Sequence, residues 1–434
     1  MNDVMVRMLP LSQSVESLSP YPWPRLRALL GGVTPLRNGP ALDLSIGEPK
    51  FGVPAVAGPI LSEAVDEWGR YMASDGTPVL RQAIADWIVR RYRLAPSAVD
   101  PERHVLPCCG TREALAMSLL LLDSRRCGSK SFVLMPDLFY PPYEAAACVA
   151  GLEPIYLPTS PESDHFPSLA ALEREEGANE LLSRTAAMFL CSPSSPQGTI
   201  ASHAYLSRLI TLCRRFGILL LLDECYSEIY RDAAPVGGLE VTMSMPERSF
   251  DNVLVFNSLS KRSSVPGLRS GFVAGDAAVI AAFRRLRSYS CVAMASPVQK
   301  LSAALWSDEA HVAETRRRYR ANWDAAAGPF SRLFPFDPPA AGFFAWLDLS
   351  SCRLDGEAAT IKLWAEEAIK VLPGRFLSRD TASGQNSGAP FIRIAMVHDA
   401  EVTGNAVGRI VRCLGKIVGS PGTDASAVLT SACG

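Results

Sequence analysis

Six short apolar runs, each closed by a polar turn, constrain this chain more than any other feature. They are HVLPCC (104–109), SFVLM (131–135), AAMFL (186–190), ILLLL (218–222), NVLVF (252–256) and GFVAG (271–275). Runs this short and this continuously apolar read as strands buried on both faces. Helical segments lie between several of them, such as 203–216, which stops at Gly217. Ahead of the first run, Thr77-Pro78 caps a helix reaching about Tyr92, with Leu80, Ala83, Ile84, Trp87 and Ile88 at helical spacing. Buried strands alternating with helices predict an α/β fold whose mostly parallel sheet is covered on both faces.

After about residue 280 the pattern changes. An arginine-rich helical stretch over 302–327 leads to the alternating strands GFFAWLDL (342–349) and PFIRIAM (390–396), with a helix between them. This predicts a smaller α+β domain, and 434 residues are enough for two domains. The expected boundaries are 1–45 for an N-terminal arm joining the small domain, 46–300 for the large domain and 301–418 for the small one. The polar segment 419–434 is expected to be a disordered tail.

Several functions are disfavoured by composition. A net charge of −1 gives no basic field for nucleic acid. No apolar run approaches the ~20 residues that span a bilayer. The N-terminus has no signal-peptide pattern, so a cytoplasmic protein is expected. The eleven cysteines include no CxxC pair and read as reduced, small apolar residues. The five histidines lack metal-ligand spacing. Neither GxGxxG nor GxxxxGK[ST] occurs, which removes the nicotinamide-dehydrogenase and P-loop readings.

In an open α/β sheet, ligands gather at the carboxyl ends of the strands. After HVLPCC comes Gly110-Thr111-Arg112, opening a helix whose free N–H groups suit an anion. After SFVLM come the aromatics of PDLFYPPY, and after AAMFL the rigid loop Ser192-Pro-Ser-Ser195-Pro-Gln-Gly198. After ILLLL comes Asp223-Glu-Cys-Tyr226, a carboxylate at the end of a buried strand that calls for a cationic partner. After NVLVF comes SLSKRSSVPGLRSG (258–271). Its hydroxyls and Arg269 suit phosphate, while Lys261 alone reads equally as a phosphate ligand, a surface charge or a nucleophile toward a carbonyl. An anion cradle, an aromatic, a semi-buried acid, a tyrosine and a lysine together match pyridoxal phosphate. In that reading Ser258, Ser260 and Arg269 hold the phosphate, and Lys261 reaches the aldehyde.

The same motifs resemble the fold-type I pyridoxal-phosphate aminotransferases of class I/II, from about residue 42 to 415. SLSKRSSVPGLRSG is similar to their Ser-x-Ser-Lys…Gly-x-Arg-x-Gly signature. The resemblance implies a seven-stranded sheet in the large domain, a Schiff base at Lys261, and Asp223 and Tyr226 at the ring nitrogen and phenolic oxygen. It implies that Gly110, Thr111 and Arg112 form the phosphate turn and that Tyr140, with Phe139 the alternative, stacks on the ring. Tyr71 would reach the phosphate of a neighbouring subunit, so a homodimer with shared sites is implied. Gly47 and Arg393 would receive the substrate carboxylate. Within the family, LSIGEPK, GTREAL and VLPGRFLSRD look most like bacterial succinyldiaminopimelate aminotransferases. Arg375, in VLPGRFL, replaces a small residue and reads as an exposed charge or a second substrate-anion site.

One position departs from the family pattern. Ser195 stands where the resemblance places an asparagine that donates to the cofactor's phenolic oxygen. Serine is shorter, so this donor is expected to be lost or relayed by water, with Tyr226 left as the main direct donor. Fewer donors to that oxygen should raise the pKa of the cofactor–lysine linkage. The implied activity is amino-group transfer between an amino acid, with glutamate as donor, and a 2-oxo acid. The alternatives are another pyridoxal-phosphate reaction (elimination, cyclisation or oxidation) and a regulatory protein that kept the cofactor.

Overall fold

The computed structural model describes residues 12–16, 18–122, 130–174, 176–381 and 384–418. The expected tail 419–434 and the start of the arm lie outside the described residues. Among the described residues there are twelve strands: β1 (Leu42–Asp43), β2 (Val105–Cys108), β3 (Phe132–Pro136), β4 (Glu153–Leu157), β5 (Thr185–Cys191), β6 (Leu219–Asp223), β7 (Val253–Ser258), β8 (Gly271–Gly275), β9 (Phe344–Asp348), β10 (Ile369–Lys370), β11 (Leu372–Pro373) and β12 (Phe391–Ala395).

Seven of them form the main sheet in the order β2-β8-β7-β6-β5-β3-β4. Every pairing is parallel except those of β8, which runs against both β2 and β7. The central strands are buried throughout, as their unbroken apolar runs require. Each leucine of β6 contributes about 1.5–3 kcal/mol through its removal from water. One apolar cluster covers one sheet face around Leu80, Ile84, Trp87 and Leu220, and another covers the opposite face around Leu115, Phe189 and Phe283. The capped helix Pro78–Tyr92 belongs to the first, and the Thr77 hydroxyl accepts from the Leu80 N–H at 3.3 Å.

Register puts the chemistry on one edge. Cys191 is paired with Asp223, Asp223 with Phe256, Ser258 with Gly271, and Gly271 with Cys108. The carboxyl ends of β2, β5, β6 and β7 therefore share one rim with the start of β8.

A three-stranded antiparallel sheet, β11-β12-β9, forms a separate layer against the helices Ala310–Ser331, Gly356–Glu367 and Ala400–Val418. β1 pairs in parallel with β10, which carries the chain near residue 42 into this second layer.

Two elements differ from the sequence expectations. The strand β4 has no apolar run to announce it, because EPIYL contains Pro154 and lies half-buried at the sheet edge. The single helix expected over 302–327 is two helices, Ser296–Ser307 and Ala310–Ser331. Asp308 is extended at the break, and its carboxylate accepts from the Ala310 N–H at 2.8 Å to start the second helix. No helix among the described residues is long and apolar enough to cross a membrane.

Candidate functional site

The rim of the main sheet and the loops facing it bring together most of the residues singled out above. Asp223 ends β6 and is buried. Its Oδ2 accepts from the Tyr143 hydroxyl at 2.8 Å, and its Oδ1 from the Cys225 N–H at 3.1 Å. Burial pushes its pKa up, opposed by these hydrogen bonds and by the charge of Lys261. Isolated, such a buried carboxylate costs several kcal/mol, so the two donors and the nearby cation are what make it tenable.

Lys261 lies in the one-turn helix Leu259–Arg262 that follows β7. Its Nζ donates to the Gly47 carbonyl and sits 5.3 Å from the centre of the Phe343 ring. Burial lowers its pKa to about 8. Gly47 is constrained by the same neighbours, since a Cβ there would collide with Phe344. Tyr226 packs its ring edge-on against Phe343 and Phe344, with centres 5.5 and 6.0 Å away. Burial raises the Tyr226 hydroxyl well above its usual pKa, and the positive charge of Arg393 opposes the rise.

Gly110 has φ +87°, a conformation that favours glycine, and a Cβ there would collide with the Arg269 guanidinium. Arg269 is held over this turn by donating to the Pro266 carbonyl at 2.9 Å and the Cys109 carbonyl at 3.2 Å. Thr111 opens the helix Thr111–Ser118, with its hydroxyl 3.2 Å from the Cys225 thiol. Ser258 lies 4.0 Å from that same thiol. Ser260 and Ser195 are half-buried on the same rim, and their hydroxyls bond to none of the described residues.

Arg112 turns toward aromatics. Its Nε donates to the Tyr140 hydroxyl at 2.8 Å and its Nη2 to the Tyr21 hydroxyl at 3.4 Å. Tyr140 meets the ring of Tyr143 edge-on at 5.7 Å, which sets it beside Asp223. Phe139 points elsewhere, stacking on Tyr156 at 5.2 Å beneath Arg379.

Arg393, on β12, is buried and donates from Nη2 to the Ser45 carbonyl at 2.8 Å. Its Nε has no partner among the described residues. The guanidinium lies 4.2 Å from the centre of the Phe344 ring and 5.8 Å from that of Trp23. Burial lowers its pKa to about 10, and the groups that resist this are the phenols Tyr226, Tyr21 and Tyr140, with no carboxylate among them. A buried cation with an orphan donor and no acid beside it can accommodate an anion.

Two residues lie apart. Tyr71 is fully exposed and lines an open cleft of about 790 Å³ with Arg284 and Val292. The Val292 carbonyl accepts from the thiol of Cys109, the residue whose carbonyl Arg269 holds, so the cleft backs onto the Gly110 turn. Arg375 is paired with Asp380 at 2.7 Å on the protein surface.

Sequence reasoning missed four contributors. Tyr143 stacks on Phe189 at 4.4 Å and binds Asp223, and it was visible only as one aromatic among several in PDLFYPPY. Tyr21 and Trp23 arrive with the helix Pro22–Leu30, and nothing local in the sequence fixes where that helix docks. Cys225 lies between Thr111, Ser258 and Asp223.

These residues fit pyridoxal phosphate. Arg269, folded over a glycine that admits no Cβ, lies beside the free N–H groups of a helix start and the hydroxyls of Thr111 and Ser258. A buried acid with an aromatic beside it and a lysine of lowered pKa complete the set.

Comparison with known proteins agrees. The family model for aminotransferase class I and II matches residues 40–410. A probable aminotransferase of Mycobacterium tuberculosis is 31% identical over 401 residues, covering 91% of this chain and 85% of that protein. The crystal structure of an aminotransferase from Neisseria meningitidis superposes with a TM-score of 0.85 at 37% identity, covering 93% and 99% of the two chains. A probable N-succinyldiaminopimelate aminotransferase from Thermus thermophilus superposes with a TM-score of 0.77 at 24% identity, covering 90% and 99%, a likeness that carries the fold.

Proposed function

The chain belongs to the class I and II aminotransferases, enzymes that depend on pyridoxal phosphate, and on that premise we propose which of its residues carry the transfer of an amino group between an amino acid and a 2-oxo acid. Bound pyridoxal phosphate supplies an aldehyde that condenses with amines and a ring that takes up the electron pair left at the substrate's α carbon. Arg269, Thr111, Ser258, Ser260 and the N–H groups after Gly110 hold the phosphate. Asp223 would keep a proton on the ring nitrogen, Tyr226 would donate to the phenolic oxygen, and Tyr140 would lie against the ring. Ser195 offers that oxygen a shorter reach than an asparagine would.

Arg393 receives the substrate's α-carboxylate through its free Nε, beside the backbone of Gly47. Phe343 and Phe344 close the space around the Lys261 amine against water. Lys261 would take the proton from the substrate's α carbon, and its lowered pKa would let it do so near neutral pH. Arg112, held by two phenols at the mouth, faces the substrate's distal end.

The observation that carries the substrate assignment is buried Arg393, whose Nε has no partner among the described residues and whose charge no carboxylate offsets. L-glutamate is the proposed amino donor, and the finer likeness to succinyldiaminopimelate aminotransferases extends this to acceptors with a second anionic group. The relatives named above are aminotransferases, which favours transfer over elimination, cyclisation or oxidation. A homodimer is proposed because Tyr71 projects fully from its own chain along a cleft it shares with exposed Val292. A cytoplasmic location is proposed, a reading that the free thiols of the cysteines among the described residues support.

The test is addition of L-glutamate, without oxo acid, to the cofactor-loaded protein. Conversion of the visible band to the pyridoxamine form, with release of 2-oxoglutarate, is expected. A band that ignores glutamate would remove it as donor.

A further inference from the structure

The two residues after Lys261 both point away from the site, and both are fastened to the same place. The Arg262 side chain is fully buried. It donates to the Leu305 carbonyl at 2.6 Å, to Glu309 Oε1 at 2.7 Å and to the Asp308 carbonyl at 3.3 Å. Its guanidinium also lies 5.1 and 5.8 Å from the ring centres of Trp306 and Trp87. The Ser263 hydroxyl is 2.8 Å from His311 Nε2, and His311 Nδ1 is 2.8 Å from Asp308 Oδ2. Residues 305–311 are where the helix Ser296–Ser307, packed on the large layer, gives way to Ala310–Ser331, packed on the small one.

The protons in this chain are fixed by chemistry. The Asp308 carboxylate only accepts, so Nδ1 carries the imidazole proton. Nε2 is then an acceptor, and the Ser263 hydroxyl donates to it. Arg262 Nη1, 3.4 Å from Ser263 Oγ, donates into the oxygen thus left free. Burial and the neighbouring Arg262 charge hold the His311 pKa below its usual value, while Asp308 and Glu309 oppose them. Hydroxyl, imidazole and carboxylate in line resemble a nucleophile relay. Ser263 has no exposed surface, however, so its oxygen can attack nothing from solvent. The chain serves to hold a position.

We propose that His311 is a positioning residue for Lys261: through Ser263 it fixes the turn Leu259–Arg262 and ties the place of the lysine amine to the junction between the two layers. This rests on the reading of Lys261 as the cofactor lysine. Around that amine stand Glu48 and Cys225, which favour its charge, and Arg393 and Arg112, which oppose it. A turn released at Ser263 lets the nitrogen shift toward water, which stabilises its charged form and raises its pKa.

The test is a pH titration of the visible band of the full-length, cofactor-loaded protein, with melting temperatures recorded alongside. His311→Phe and Ser263→Ala are expected to raise the midpoint by about half a pH unit or more. His311→Gln, whose amide oxygen can take the serine hydroxyl, is expected to stay near wild type. If His311→Phe fails to fold, Ser263→Ala carries the same expectation with a smaller change. Wild-type midpoints in the variants that fold overturn the proposal, whatever their melting temperatures, and so does a His311→Gln midpoint displaced as far as the phenylalanine variant's. Wild-type protein that shows no visible band, even with pyridoxal phosphate added, would instead overturn the reading of Lys261 itself.

Discussion

The Tyr143 hydroxyl donates to Asp223 at 2.8 Å, in a place where both residues are buried. The bond is one of those that stabilise the charged form of an acid whose burial works against it. Removing it in Tyr143→Phe should make Asp223 more basic and leave one carboxylate oxygen without its donor. Cofactor retention should weaken about ten-fold, since a hydrogen bond to a charged group is worth about 1.5–3 kcal/mol. Equilibrium dialysis of the bound cofactor measures this, and an unchanged dissociation constant would deny Tyr143 the role.

Ser195→Asn restores a longer donor at the rim of the site. It should lower the pH midpoint of the visible band, because a new donor to the phenolic oxygen favours the ionised oxygen. A midpoint equal to wild type would mean that another group already supplies this hydrogen bond.

The lowered pKa of Lys261 sets a pH dependence with a definite sign. Burial makes the amine release its proton at about pH 8. At pH 7.5 about a quarter of it is then neutral, against about a thousandth for a lysine in water. The rate at which full-length, cofactor-free protein captures pyridoxal phosphate should climb with pH and level off above about 8 to 9. A rate still rising beyond pH 10 would show an amine in contact with water.

Much of this site could be read from the sequence because buried parallel strands advertise themselves. The runs ending at Cys109, Leu190, Leu222 and Phe256 needed only the rule that ligands gather at strand carboxyl ends to align the turns after them. What local pattern does not encode is partnership. The edge strand Glu153–Leu157 lacks a continuous apolar run because it is only partly buried at the sheet edge. The helix break at Asp308 shows no glycine or proline, since an acid capping the next helix makes it. Tyr143, Tyr21 and Trp23 reach the site by docking of elements distant in sequence, and the contact of Arg393 with Ser45 spans 348 residues.

Arg393→Lys tests the carboxylate site. Lysine keeps the charge but loses the planar fork, so kcat/KM for L-glutamate should fall roughly a hundred-fold, about 2–3 kcal/mol. The visible band should be little affected, because lysine keeps the positive charge that acts on Tyr226 and Lys261. Activity within a few-fold of wild type would place the carboxylate elsewhere.

The central claim is that Lys261 is the residue that bonds to the cofactor, with Asp223 the acid that would meet its ring nitrogen. Borohydride reduction of the loaded full-length protein, followed by peptide mass mapping, tests it directly. The account predicts a pyridoxyl-phosphate mass increment on Lys261, and its absence in Lys261→Ala. An increment on another lysine of the wild-type protein, or none at all, would contradict the account.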